Sequence, residues 1–317
     1  TGRETATFSL KRVRKHLDGD GDVMIMPWFS AQNVLDAVDS VAPVQVCQMR
    51  PKIADVDDNG RPQKYLFPGS SKQPVSMHPA VTRAWSESAP KAIITEGVIK
   101  EDSLLTGMLL AGGVSEDELK LPHLTADSMD EWRLGDGLAS LRALMDRIPR
   151  EKRLTPMSVA GVAGWREGQF SSIQMRDREV LIAFDGDVAT NPNVYRFFSK
   201  MWEMVANRGG RPRLLNLGST SALMEIRRVE KYAEIGTRGP DGKTQMLGVD
   251  DFLSHVGGFE QLMKFEEADM PARPADSSDG FEVGDVRVSP GGRGTEEYVS
   301  GENGGYWKQR TPIGGKV

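Results

Sequence analysis

The stretch EVLIAFDGDVATNPNV, from Glu179 to Val194, decides the fold that the sequence predicts. Its first half is a short apolar run with the length of a buried strand, and the run ends in Asp185 and Asp187. Its second half begins a helix, because Thr190 or Asn191 can cap it and a proline follows at the first helical position. The stretch therefore predicts a strand that leads through two acids into a helix.

The residues that follow predict a helix packed on a sheet and then another strand. Apolar residues recur at three- and four-residue spacing, as on one face of a helix: Val194, Phe197, Phe198, Met201, Trp202 and Val205. Gly209 suits the end of this helix, and Arg213–Leu217 has the pattern of the next strand. Since strand, helix and strand in this order form a crossover between parallel strands, we predict an α/β fold with a parallel sheet flanked by helices.

Composition limits the class of protein. Hydrophobic residues make up 38% of the chain and charged residues 27%, as in globular proteins. The longest apolar stretch, around Leu104 to Ala111, is far shorter than the about 20 residues of a membrane helix, so we expect no membrane span. Cys47 is the single cysteine, which excludes an internal disulfide and a cysteine-rich zinc site and favours the cytoplasm.

The charge distribution limits where nucleic acid could bind. The net charge of -5 argues against a surface that is positive throughout, so any such contact has to be local. Two basic patches are available, Lys11–His16 and the arginines Arg208, Arg211 and Arg213. Each patch is either a phosphate contact or an ordinary solvated surface.

Changes in composition divide the chain into four segments. Residues 1–22 form a polar N-terminal arm, and residues 23–89 a small α+β subdomain. Residues 90–267 alternate between strands and helices and form the main domain, whereas residues 268–317 are predicted to be a disordered tail or linker. Asp55–Leu66 is close to a calcium-binding loop but ends in leucine instead of glutamate, so we predict an Asn-Gly hairpin turn there.

Carboxylates end two of the predicted strands. Lys91–Thr95 runs directly into Glu96, as the strand in the opening stretch runs into Asp185 and Asp187. Ligands of an open parallel sheet bind beyond the carboxyl ends of its strands, and converging carboxylates raise one another's pKa unless a cation is present. Oxygen ligands select Mg²⁺ or Mn²⁺ over zinc. The alternative is that the acids are ordinary residues of helix N-termini, which we favour for Asp187 taken alone.

Ordered motifs across residues 40–256 resemble the TOPRIM-like domain of phage and plasmid replication proteins, within the superfamily of primases, topoisomerases and nucleases. The motifs are Lys64-Tyr65, His78-Pro79, Thr95-Glu96-Gly97 with Lys100 and Asp102, Gly161-Val162 with Trp165, Asp185 to Val194, and Gly248 to Leu253. The resemblance implies a Rossmann-like sheet. Two departures are Leu247, where the pattern has lysine, and a long interval after Glu96, which implies an inserted helical segment at about 114–155.

The resemblance also implies roles for the site residues. Asp185 and Asp187 would hold Mg²⁺ or Mn²⁺, and Glu96 would be a third ligand or a general acid/base. Lys100 would contact a phosphate oxygen or would be an ordinary solvated helix lysine. Asp250 and Asp251 would add a second metal or cap a helix.

The activity implied by the resemblance is Mg²⁺-dependent phosphoryl or nucleotidyl transfer on DNA in phage or plasmid replication. We expect a DNA primase-type nucleotidyltransferase that uses single-stranded DNA and nucleoside triphosphates, with a replicative helicase or helicase domain as a partner, in the host cytoplasm if the gene is carried by a phage. The single cysteine cannot build the zinc ribbon with which bacterial-type primases hold template. The alternatives are a TOPRIM nuclease acting on DNA and a catalytically silent nucleic-acid-binding module.

Overall fold

The computed structural model describes residues 23–37, 42–56, 62–68, 71–120, 134–237, 245–274, 286–288, 295–301 and 304–309. The polar arm predicted for residues 1–22 lies outside them, as does the Asn-Gly turn predicted at Asn59-Gly60. Among the helices of the described residues, none has both the length and the apolar character needed to cross a membrane.

The first part of the described chain, up to residue 89, contains short strands and helices. The strands form two antiparallel pairs: β1 (Val23–Trp28) with β2 (Val46–Pro51), and β3 (Asp55–Val56) with β4 (Pro62–Gln63). The helices are α1 (Ala31–Asp36) and α2 (Arg83–Ser88). The hydroxyl of Thr82 caps α2 by accepting a hydrogen bond from the backbone N–H of Trp85 at 3.1 Å.

A five-stranded sheet forms the centre of the molecule, with the strand order β6-β5-β7-β8-β9. The first four are parallel to one another, and the last pairs antiparallel with β8. The strands are β5 (Lys91–Glu96), β6 (Leu154–Val159), β7 (Glu179–Ala183), β8 (Arg211–Leu215) and β9 (Glu266–Glu267). The predicted α/β fold with a mostly parallel sheet is confirmed.

Helices connect and flank these strands. They are α3 (Val98–Ala111), α4 (Glu116–Leu119), α5 (Leu134–Asp146), α6 (Pro192–Asn207), α7 (Thr220–Ile226), α8 (Val249–His255) and α9 (Phe259–Leu262). α4 and α5 lie within the segment predicted as a helical insertion. The N-cap of α6 is Asn191, whose side-chain oxygen accepts from the backbone N–H of Asn193 at 3.1 Å, and Gly209 follows its C-cap with a φ of 78°.

One hydrophobic core joins the first part of the chain to the sheet. Buried residues of α1 and α2 belong to the same apolar cluster as the interior of β5 and β7. Trp85 is buried there, and its indole N–H donates to the backbone oxygen of Leu154 at 3.1 Å. Ser76 forms an antiparallel bridge with Ser158, beside the outer edge of the sheet. Residues before and after position 90 therefore pack as one body around β5 and β6.

Two predictions about secondary structure need correction. β8 is Arg211–Leu215, two residues earlier than predicted, because Arg211 and Arg213 align with residues of β7 and extend the strand with charged positions. The segment predicted as a disordered tail contains β10 (Val286–Val288), β11 (Thr295–Gly301) and β12 (Gly304–Gln309), paired antiparallel in the order β10-β11-β12. The prediction of disorder does not hold for residues 286–288, 295–301 and 304–309, which pair as strands.

Candidate functional site

The carboxyl ends of β5 and β7 lie side by side. Thr95 aligns with Ala183, and its buried hydroxyl donates to the Ala183 backbone oxygen at 3.0 Å. Glu96, the last residue of β5, consequently lies beside the loop that follows β7, and its carboxylate accepts a hydrogen bond from the backbone N–H of Asp185. The structure thus brings together the two strand ends on which the sequence placed its acids.

Lys100 balances the charge of this cluster. It lies one turn into α3 and forms an ion pair with the carboxylate of Asp185, where 15% of the lysine side chain and 40% of the aspartate side chain are exposed. Burial lowers the pKa of Lys100, but the charges of Asp185 and Glu96 outweigh burial, so the net shift is upward. Lys100 therefore stays protonated among carboxylates and is not a solvated helix lysine.

Glu96 has a raised pKa. Burial raises this pKa to about 7 from an ordinary 4.5, the negative charge of Asp185 adds to the shift, and Lys100 opposes it. A carboxyl group that titrates near neutrality can accept or release a proton at working pH, which is what a general acid/base requires.

Asp187 is turned toward the helix that follows it. Its carboxylate accepts a hydrogen bond from the Asn191 side-chain amide at 2.8 Å, and its backbone oxygen accepts from the N–H groups of Thr190 and Asn191. Burial raises the pKa of Asp187, whereas the bond from Asn191 lowers it and the charge of Asp185 raises it further. Asp187 therefore joins the acidic cluster to the N-terminus of α6.

Gly248 lies against the side chains of Lys100 and Asp185, and its role was not predicted from the sequence. A Cβ at this position would lie 2.5 Å from Cε of Lys100, 2.6 Å from Oδ1 of Asp250 and 3.0 Å from Oδ1 of Asp185. The first two distances are shorter than real Cβ contacts, so a larger residue here would displace the side chains of Lys100 and Asp250. Its position two residues before the pair Asp250-Asp251 was the signal that could have marked it.

The two acids after Gly248 have different surroundings. Oδ1 of Asp250 is buried and accepts no hydrogen bond from the described residues, and burial raises the pKa of Asp250 while Lys100 lowers it. Asp251 is exposed and accepts a hydrogen bond from the Tyr232 hydroxyl at 3.3 Å. Neither caps α8, whose N-cap is Gly248. Asp250 thus belongs to the cluster and Asp251 does not.

Two glycines hold the loop after β7 against the loop after β8. A Cβ at Gly186 would lie 2.9 Å from the backbone nitrogen of Gly218, and a Cβ at Gly218 would lie 1.9 Å from the backbone oxygen of Gly186. Gly186 therefore serves a close approach of backbone to backbone. This contact fixes the loop that carries Asp185 and Asp187.

Glu101 is a second buried acid, which the sequence reasoning missed. It follows Lys100 on α3, is 1% exposed, and accepts a hydrogen bond from the Ser158 hydroxyl at 2.6 Å. Burial raises its pKa to about 8, the charge of Asp102 adds to the shift, and hydrogen bonds from Ser158 and Ser76 oppose it. These contacts tie α3 to β6 from the side away from the cluster.

Two further motif residues, His78 and Trp165, have structural roles. Nδ1 of His78 accepts a hydrogen bond from the backbone N–H of Ala80 at 3.1 Å, and burial lowers the His78 pKa to about 4. Trp165 packs edge-on against Phe170 with ring centroids 6.0 Å apart. Within the described residues these rings serve packing and local hydrogen bonding.

The described side chains do not form a ready metal centre. No group of three or more His, Cys, Asp or Glu residues in the described ranges is arranged so that it could hold a metal ion. The positive charge within the acidic cluster comes instead from Lys100. Comparisons with protein-family models, curated proteins and solved structures find no match for this chain.

Proposed function

We propose that this chain is a TOPRIM-like, Mg²⁺-dependent nucleotidyltransferase domain of the DNA primase type. One observation carries the proposal: Glu96, Lys100, Asp185 and Asp250 converge beyond the carboxyl ends of two adjacent parallel strands. An α/β sheet binds its ligands at this edge, and a mixed set of carboxylates and one lysine suits the charge changes of phosphoryl transfer.

The donor atoms are not gathered into a metal centre among the described residues, but their type is the one that a hard divalent cation binds. Asp185 and Asp187 offer carboxyl oxygens, which are the ligands that Mg²⁺ and Mn²⁺ prefer, whereas Glu96 serves as the general base. The buried Oδ1 of Asp250 accepts no hydrogen bond within the described residues and could add a further ligand. When bound, the cation would neutralise developing charge on the phosphoryl oxygens.

The side chains have distinct tasks in this proposal. Glu96, with a pKa of about 7, takes the proton from the attacking hydroxyl group. Lys100, which pairs with Asp185, would contact a phosphate oxygen of the nucleoside triphosphate, and the carboxylate of Asp185 would then be available to a cation. Asn191 holds the carboxylate of Asp187 in place through their hydrogen bond.

A primer-synthesis assay tests this function. The chain is incubated with Mg²⁺ or Mn²⁺, labelled nucleoside triphosphates and either single-stranded or supercoiled DNA. We expect template-dependent oligonucleotides that disappear with Glu96→Gln and Asp185→Asn and persist with Glu203→Gln, an exposed acid on α6 that serves as the control.

The same assay separates the alternatives. If the DNA is shortened or nicked, and if this depends on Asp185, the function is that of a nuclease and not of a primase. DNA binding without either product, unchanged by Asp185→Asn, would overturn both enzymatic functions and leave a nucleic-acid-binding module. Addition of a replicative helicase tests for the expected partner through a rise in primer yield.

A further inference from the structure

A pocket of about 470 Å³ lies at the amino-terminal edge of the sheet. Its walls come from residues 86–90, 150–151 and 176–178, which precede β5, β6 and β7 respectively. Parallel strands have all their amino ends at one edge, so this pocket is on the far side of the sheet from Glu96 and Asp185. The proposed catalytic site does not use it.

Arg178 is a buried, charged side chain in the lining of this pocket. It is 7% exposed, and its Nη2 donates to the backbone oxygen of Lys91 at 2.8 Å and to the hydroxyl of Thr155 at 2.6 Å. Its Nε is buried, and no residue in the described part of the chain accepts a hydrogen bond from it. A buried donor without an acceptor costs about 1–3 kcal/mol, so Nε of Arg178 calls for a further partner.

The charge of Arg178 also lacks a counter-charge. The adjacent acid, Glu179, pairs instead with Lys91 at 3.1 Å and with Arg213 at 3.0 Å. No ion pair links Arg178 to a carboxylate of the described residues, and burial alone lowers its pKa to about 10, which leaves it protonated at neutral pH. A buried cation of this kind is stabilised when an anion binds against it.

The rim of the pocket carries charges of both signs. Arg150 and Arg176 add positive charge, and three exposed acids also line the rim: Glu87, Glu151 and Asp177. The pocket is larger than a phosphate ion needs and falls within the usual range for small-molecule sites. The arginines of the pocket suit a phosphate group. The carboxylates of the rim suit hydroxyl groups on the molecule that carries the phosphate.

We propose that this pocket binds a phosphate monoester of a sugar or nucleoside, with the phosphate group against Arg178 and Arg176 and the hydroxyl groups toward the acidic rim. Guanidinium groups bind phosphate through charge-assisted hydrogen bonds, which are the strongest that side chains form. The site is separate from the carboxylate cluster and does not rest on the proposed nucleotidyl transfer.

Isothermal titration calorimetry on the full chain tests the site, with inorganic phosphate, ribose 5-phosphate and adenosine monophosphate as probes. EDTA is present throughout to remove cation-dependent binding at the other edge. We expect both monoesters to bind more tightly than inorganic phosphate. Arg178→Lys and Arg176→Ala should each weaken monoester binding about tenfold or more.

Two control variants make the outcome decisive. Arg228→Ala removes an exposed arginine at the end of α7 and should leave binding unchanged. Asp185→Asn should also leave it unchanged, which separates this site from the proposed catalytic site. If Arg178→Lys fails to fold, Arg150→Ala and Arg176→Ala on the exposed rim replace it. Absence of binding by all three probes, or binding that none of the pocket variants weakens, would overturn the proposal.

Discussion

The two edges of the central sheet differ in the sign of the charge that they bury and in how that charge is neutralised. At the carboxyl edge the chain gathers several acids and places its own lysine among them, since Lys100 pairs with Asp185 and also acts on Glu96 and Asp250. At the amino edge it buries Arg178 without a carboxylate from the described residues. The negative charge of the carboxyl edge is therefore neutralised by a lysine of the chain itself, whereas the positive charge of Arg178 at the amino edge is neutralised by a bound anion.

The largest expected effect on the stability of the carboxyl edge comes from a substitution of Gly218. Because a Cβ there would meet the backbone oxygen of Gly186 at 1.9 Å, Gly218→Ala should lower the free energy of unfolding by about 3 kcal/mol. Urea denaturation measures the change. As a control, Gly137→Ala in α5 meets nothing within 4 Å and should raise stability by about 0.5–1 kcal/mol. Equal effects of the two alanines would contradict the close contact of the loops.

Removal of the internal cation should have the next largest effect. Lys100→Met leaves Asp185 and Glu96 without their positive neighbour, so we expect a loss of about 2 kcal/mol at pH 8, reduced from a fully buried pair because Asp185 is partly exposed. The matched control is Lys120→Met, whose pair with Asp117 is exposed and should change stability by less than about 0.5 kcal/mol. Losses of similar size would show that Lys100 does not balance the cluster.

The edges should also differ in their response to pH. The pKa of Glu96 is raised in the folded chain, so its contribution to stability is complete below about 4.5 and is lost as pH rises through about 7. Glu96→Gln should remove on the order of 1 kcal/mol of this loss. Arg178 keeps its proton over this range and adds no such slope.

Denaturation curves measured from about pH 5 to pH 9 check this prediction. Glu101→Gln serves as the comparison, because the pKa of Glu101 is raised to about 8 and its effect extends to higher pH. Parallel pH profiles for the unmodified chain and Glu96→Gln would contradict the raised pKa of Glu96.

Much of the sheet was predictable because its signals are local. The apolar run before Asp185, the cap at Asn191 and the proline after it lie within sixteen residues, so they specify β7 and α6 without any long-range contact. The meeting of Glu96 with Asp185 followed from a single further inference, that both strands are parallel and adjacent.

The features that were missed depend on contacts distant in the sequence. Gly248 matters because of Lys100 and Asp185, neither of which is near it in the chain. The burial of Arg178 depends on Lys91 and Thr155, and the early start of β8 depends on its alignment with β7. β10–β12 escaped prediction because their glycine-rich surroundings match the composition of a disordered segment.

Short backbone pairings lie along the outer sides of β6 and β8 in the central sheet. The two residues of β9 cover part of β8 on one side, and the bridge from Ser76 to Ser158 engages β6 on the other. Uncovered border strands invite pairing with a second molecule and lead toward aggregation. These two small contacts therefore limit pairing of the sheet with a second molecule. A truncation that removed either one would leave backbone hydrogen-bonding groups open to intermolecular association.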